Sequence, residues 1–144
     1  KFIVFWNSRN ARRKQSGSLI WWWKEWLDER GLHEKAQLIM HTDPKDVHGQ
    51  DLEEIVNHLG LNKRQVLFSR SKLDPAGLAA MYNMADATIS VSDAEGFGLS
   101  TLESLSCGTP IIATVTGGLQ DQIMSGGETL LLDLKMFHTF MKIA

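Results

Sequence analysis

The sequence predicts an α/β domain, a doubly wound and mostly parallel sheet of about six strands with helices on both faces. Three observations predict it. Short apolar runs alternate about six times with longer amphipathic stretches. The segments between them carry the Gly, Pro, Asp and Ser that punctuate loops, with no linker, repeat or low-complexity tract. The length, 144 residues, is that of one domain of common size.

The elements follow in order. Phe2–Trp6 is an apolar strand, and Asn7–Ser16 is a polar, basic loop. Ser18–Arg30 reads as a helix with Leu19, Trp23, Trp26 and Leu27 on one face and Gly31 as its stop. Trp21, Trp22, Trp23 and Trp26 crowd this helix, and one buried stripe cannot take all four rings. Ala36–Met40 is the next strand, and Asp51–Leu59 a helix ending at Gly60. Gln65–Phe68 is a strand. Pro75–Asn83 is a helix capped by Asp74, with Pro75 at its first position. Ala87–Val91 is a strand, Ser100–Ser106 a helix, Pro110–Thr114 a strand and Leu119–Met124 a short helix. Thr129–Leu132 is a last strand and Asp133–Lys142 a last helix.

Bulk properties exclude several function classes. A net charge of -2 gives no basic field for nucleic acid. No apolar run reaches the roughly 18 residues of a membrane helix. The chain opens Lys1-Phe2-Ile3-Val4 directly in a strand pattern, without Met or signal peptide, which reads as a piece of a longer protein. A single cysteine, Cys107, allows no internal disulfide, fits a packed position and makes a cytoplasmic setting the expectation. The five histidines show no metal-ligand spacing, so zinc is not expected. No Ser/His/Asp set or G-x-S-x-G elbow is evident.

In a sheet of this kind ligands bind beyond the carboxyl ends of the strands. Three loops are expected there: Asn7–Gly17, Ser92–Leu99 and Thr114–Leu119. Gly96-Phe97-Gly98 leads into a helix start, where free N–H groups and the helix dipole attract an anion such as phosphate; the plain alternative is a tight turn without a ligand. The turn matches neither a P-loop nor G-x-G-x-x-G. Glu103 fits two readings. Ser100-Thr101-Leu102-Glu103 has the form of a capping box, and a carboxylate there also suits two sugar hydroxyls. Glu95 lies outside the helix and has no capping task, so it is either a ligand contact or a solvated loop acid. Arg9, Arg12, Arg13 and Lys14 form either a solvated basic loop or a phosphate clamp. Gly117-Gly118 is a second turn, able to offer N–H groups to a sugar hydroxyl. His41-Thr42-Asp43-Pro44 is a turn near the site without an assigned role.

These residues resemble a known family. Tyr82-Asn83-Met84-Ala85-Asp86, Ser92-Asp93-Ala94-Glu95-Gly96-Phe97-Gly98, Glu103, Cys107-Gly108-Thr109-Pro110 and Gly117-Gly118 look like the donor-binding half of retaining glycosyltransferases of the GT-B type, the group 1 or family 4 enzymes. That half is a Rossmann-like domain. The family's E-x7-E motif falls on Glu95 and Glu103, and its loop Arg and Lys fall on Arg9 and Lys14. The resemblance runs in order along nearly the whole chain.

What the resemblance implies is specific. Residues 1–144 would be a C-terminal nucleotide-sugar-binding domain, lacking the N-terminal acceptor domain and the last helices. The donor would be a nucleotide-diphosphate-sugar, used without a metal or other cofactor and with retention; base, sugar and acceptor are unspecified. Arg9 and Lys14 would hold the diphosphate and stabilise the departing nucleotide, helped by the backbone at Phe97, Gly98 and Leu99. Glu95, Gly96 and Phe97 would contact the transferred sugar, with Glu95 at the reacting face, and Glu103 the ribose. The base would sit near Ser69–Leu73. Two departures stand out: Ser8 occupies a position that is usually Gly, and Arg12 and Arg13 are additional. The isolated domain is expected to bind donor weakly and transfer little. A sugar-nucleotide epimerase, a phosphorylase, or a non-catalytic nucleotide-sugar-binding module are the alternatives.

Overall fold

The structure is a computed structural model that describes residues 1–125 and 130–132. Its strands are β1 (Phe2–Asn7), β2 (Ala36–His41), β3 (Val66–Ser69), β4 (Ala87–Ser90), β5 (Ile111–Thr114) and β6 (Leu130–Leu132). Between them run α1 (Ser16–Arg30), α2 (Leu52–His58), α3 (Pro75–Met84), α4 (Leu99–Ser106) and α5 (Leu119–Ser125). The strands form one sheet in the order β3-β2-β1-β4-β5-β6, with every neighbour pair parallel. The order reverses between β1 and β4. That is the switch point at which an α/β sheet opens a crevice beyond its strand ends.

Alternation along β1 explains the two-sided core. Val4 and Trp6 point into a cluster with Leu19, Ile20, Trp23 and Leu27 of α1 and Leu52 and Val56 of α2. Phe5 points the other way and stacks edge-on against Tyr82 of α3, ring centres 5.1 Å apart. Each fully buried large apolar side chain contributes about 1.5–3 kcal/mol. Of the crowded tryptophans, Trp23 and Trp26 are buried, and Trp23 donates its indole N–H to Gln65 O at 3.0 Å. Trp21 is the ring left outside, 53% exposed.

Sequence signals account for most boundaries. Asp74 accepts from Gly77 N–H and so starts α3, as predicted, while Asp51, read from the sequence as the first residue of its helix, caps α2 by accepting from Glu54 N–H. Gly31 ends α1 in the left-handed region. Helix α1 begins two residues earlier than the pattern predicts, because a single 3-10 turn over Arg12–Lys14 hands the chain to it through Gln15. The predicted helix over Asp133–Lys142 and the strand residue Thr129 lie outside the described residues. Among the described residues no helix is long and apolar enough to cross a membrane.

Candidate functional site

The three loops expected at one edge of the sheet meet there. Asp93 N–H donates to Arg13 O at 2.8 Å, joining the β4–α4 loop to the β1–α1 loop. Gly118 N–H donates to Gly96 O at 2.9 Å, and Thr116 Oγ1 to Asp93 O at 3.0 Å, joining the β5–α5 loop. The second turn needs its glycines for this contact. A Cβ on Gly117 would land on the Glu95 carbonyl, and one on Gly118 on the Gly96 carbonyl. Of the two readings of this turn, a plain turn or a source of N–H groups for a sugar hydroxyl, the Gly118 N–H fits the first, since it is spent inside the protein.

Between the first two loops lies a cavity of about 490 Å³. Arg9, Lys14, Glu95, Gly96, Phe97, Gly98, Leu99 and Glu103 all line it, so the residues expected to meet the diphosphate, the transferred sugar and the ribose share one space; Arg12, Gly117, Gly118 and Ser69–Leu73 do not line it. Roomier depressions lie between α1 and α2, by Trp21 and Trp22, and along β3. Neither combines facing cations with a free helix start at the switch point.

One wall is the N-terminus of α4. The helix begins at Leu99 with Gly98 as its cap, at φ +81, and no side chain caps it. Among the described residues the amides of Phe97, Gly98, Leu99 and Ser100 donate to nothing. Free donors on a helix dipole form an anion-binding surface. This start also corrects the capping-box reading. Glu103 is the fifth helical residue rather than the third, too deep in the helix to reach a cap N–H. Its Oε2 instead accepts from Tyr82 Oη at 2.7 Å and Asn7 Nδ2 at 3.2 Å, while Asn7 Nδ2 also lies 2.9 Å from Tyr82 Oη. Oε1 accepts no hydrogen bond among the described residues, and Glu103 lines the cavity. Burial, reinforced by the Glu103 carboxylate and opposed by Asn7, pushes the Tyr82 hydroxyl far above an ordinary phenol, so it stays a donor.

The opposite wall is the β1–α1 loop. Gln15, at φ 52, is the non-glycine residue in the left-handed region among those described. It is fixed there by its amide donating to Asp93 Oδ2 at 2.6 Å. This sharp exit turns Lys14 inward, where its ammonium pairs with Glu95 Oε2; both side chains are 11% exposed. Ser92 Oγ donates to the same Glu95 oxygen at 3.2 Å, and Arg13 Nη1 lies 3.7 Å from Oε1. Glu95 therefore has a structural task that its position in the sequence does not show: it is the counter-ion of Lys14. Arg9 is held elsewhere, by Asp46, at 2.6 Å from Nε to Oδ2 and 3.2 Å from Nη2 to Oδ1.

Sequence reasoning missed four contributors. Asn7 and Tyr82 orient Glu103, Asp46 holds Arg9, and Asn10 ties loops together. A signal existed for Tyr82, which lies in the motif block; only the fold brings it to Glu103. Other motif residues are structural. Asp86 accepts from Ile3 N–H at 2.7 Å, and Thr109 Oγ1 donates to Tyr82 O at 2.8 Å. Cys107 is half-buried, packed against the Phe5–Tyr82 cluster rather than enclosed in it. Beside Glu103, α3 and α4 bound an apolar slot of about 290 Å³ lined by Pro75, Leu78, Tyr82 and Leu102.

Comparison with known proteins places this architecture. Residues 27–135 match the family described as glycosyl transferases group 1, and the chain belongs to that family. A D-inositol 3-phosphate glycosyltransferase of Corynebacterium urealyticum is 40% identical over 82 residues, a match covering 57% of this chain and 19% of that protein. The matched part thus spans about a fifth of that relative's length. Among solved structures, the C-terminal domain of a glycosyl transferase group 1 family protein from Francisella tularensis superposes with a TM-score of 0.78 at 21% identity, covering 99% of this chain and 74% of that one. Anabaena HepE, solved in complex with UDP and glucose, superposes with a TM-score of 0.69 at 18% identity, covering 99% of this chain and 38% of that one. These two likenesses establish the fold.

Proposed function

We propose that this member of the group 1 glycosyl transferases is the donor-binding domain of an enzyme that transfers a sugar from a nucleotide-diphosphate-sugar to an acceptor hydroxyl, with retention and without a metal. The observation that carries the reading is the cavity at the switch point. It joins three cations (Arg9, Arg13 and Lys14), an uncapped helix start and a carboxylate with one free oxygen. A diphosphate needs the first two and a ribose diol the third. That HepE holds UDP and glucose in the same fold supports the reading, and so does the relatives' naming as glycosyltransferases.

The roles follow from chemistry. Lys14 and Arg9 take the charge that builds on the diphosphate as the glycosidic bond breaks, joined by the amides of Phe97, Gly98 and Leu99. These groups supply the positive charge a metal would otherwise bring. Glu103 Oε1 accepts from the ribose hydroxyls, and the base sits near the loop Ser69–Leu73. Glu95, beside Gly96 and Phe97, faces the sugar that moves while keeping Lys14 in place. The acceptor site belongs to the remainder of the enzyme, a partner N-terminal domain.

Calorimetry with UDP and GDP tests the reading. Lys14→Ala removes a charge-assisted contact of about 1.5–3 kcal/mol, so binding weakens roughly tenfold or more. No binding of either nucleotide, or equal binding by Lys14→Ala, overturns it.

A further inference from the structure

We propose that Asp46 is a positioning residue for Arg9: with His48 it fixes the guanidinium by its Nε–Nη2 edge, so that Arg9 meets the diphosphate end-on through Nη1 rather than with its fork. The inference rests on the donor-site reading above and deepens it by giving a role to the β2–α2 loop.

Guanidinium chemistry sets the argument. Arg9 has five N–H donors and no acceptor. Nε–H and one Nη2–H are taken by the two oxygens of Asp46, at 2.6 and 3.2 Å. The other Nη2–H faces His48 Nδ1, 2.7 Å away, which accepts it in the tautomer with its proton on Nε2; Nδ1 also lies 3.1 Å from Asp46 Oδ1. That leaves the two hydrogens of Nη1, at the end of the guanidinium away from Asp46. Arg9 lines the donor cavity, and Nη1 is what it has left to offer there.

Asp46 is well placed to impose this direction. Its side chain is 13% exposed against 61% for Arg9, and it also accepts from His48 N–H at 2.9 Å. The segment carrying it is registered against the β1–α1 loop through Asn10, which is fully buried. Asn10 Nδ2 donates to Gln50 O at 2.7 Å, and Asn10 Oδ1 accepts from Ser16 Oγ at 2.7 Å. A Cβ on Gly49 would land on Asn10, so the two loops are in direct contact. The carboxylate is therefore fixed before the ligand arrives, and the exposed arginine is ordered by it. Ordering one long side chain in advance is worth about threefold to tenfold in affinity.

The test is calorimetry on the chain with UDP or GDP, whichever binds the parent more tightly, using Asp46→Asn, Arg9→Ala and the double variant. Asp46→Asn is expected to weaken binding about threefold to tenfold in the parent and less than about twofold in the Arg9→Ala background. Unchanged or tighter binding by Asp46→Asn makes Asp46 a bystander or a competing counter-ion and overturns the inference. An equal loss in both backgrounds makes it a structural residue of its loop and overturns it too. If Arg9→Ala binds like the parent, the donor-site role of Arg9 fails and the inference with it. If Arg9→Ala weakens binding while Asp46→Asn does not, the inference alone falls. His48→Ala is a second variant that removes the Nη2 contact and the ring's 3.1 Å contact with Asp46 Oδ1, and leaves both Asp46–Arg9 hydrogen bonds in place. It is expected to weaken binding in the same direction by less, and if Asp46→Asn does not fold, undiminished binding by His48→Ala overturns the proposal.

Discussion

Replacing Tyr82 by Phe removes one oxygen and leaves the packing intact. The ring is 1% exposed and stands edge-on to Phe5, and Phe would keep that contact. What disappears is the hydroxyl that donates to Glu103 Oε2 at 2.7 Å and lies 2.9 Å from Asn7 Nδ2. A hydrogen bond to a charged group contributes about 1.5–3 kcal/mol. Asn7 keeps its own contact with Glu103 at 3.2 Å, so part of that is retained. The expected loss of stability is about 1–2 kcal/mol, or a fall in Tm of roughly 3–8 °C for a domain of this size. Affinity for UDP or GDP should fall about threefold to tenfold, because Glu103 Oε1 is no longer aimed at the ribose.

Alkaline pH adds an internal check. Burial holds the folded Tyr82 hydroxyl far above the ordinary value of about 10, while the unfolded chain ionises there. Above that pH the unfolded state binds fewer protons, so the parent loses stability as pH rises. The Tyr82→Phe protein lacks this dependence, and the gap between the two should narrow above about pH 10. Thermal melts across pH, with calorimetry at neutral pH, measure all three effects. An unchanged Tm refutes the hydrogen-bonded triad. A lower Tm with undiminished nucleotide affinity refutes the claim that the hydroxyl aims Glu103.

Two further substitutions separate binding from stability. Gly118→Ala puts a methyl against the Gly96 carbonyl, where the β5–α5 loop buttresses the Gly96–Gly98 turn. It should lower stability by about 1–3 kcal/mol and weaken nucleotide binding together, read by melting and calorimetry. Asp74→Ala removes the cap that accepts from Gly77 N–H at 2.7 Å, so it should cost about 1 kcal/mol with little change in nucleotide affinity.

The fold was legible because local signals and the global answer agree. The cap at Asp74, the stop at Gly31 and the apolar runs of β1 and β2 are all short-range features, and each is where the pattern puts it. The site was legible as a set of residues, since the loops that carry them follow directly from the strand order. Their partners were not. Glu103 reads as a capping residue until the helix is seen to start at Leu99, because Gly98 caps it with backbone alone. Glu95 reads as task-free because its counter-ion Lys14 is 81 residues away. Asp46 lies 37 residues from Arg9, in a turn with no motif of its own. Long-range ion pairs leave no spacing signature.

The central claim concerns where a diphosphate sits, and a crystal structure of the chain with UDP or GDP bound tests it most directly. The account predicts phosphate oxygens at hydrogen-bond distance from the amides of Gly98 and Leu99 and from Lys14 Nζ, with the ribose hydroxyls on Glu103 Oε1. A diphosphate lodged away from the start of α4, or a ribose that does not meet Glu103, would contradict it.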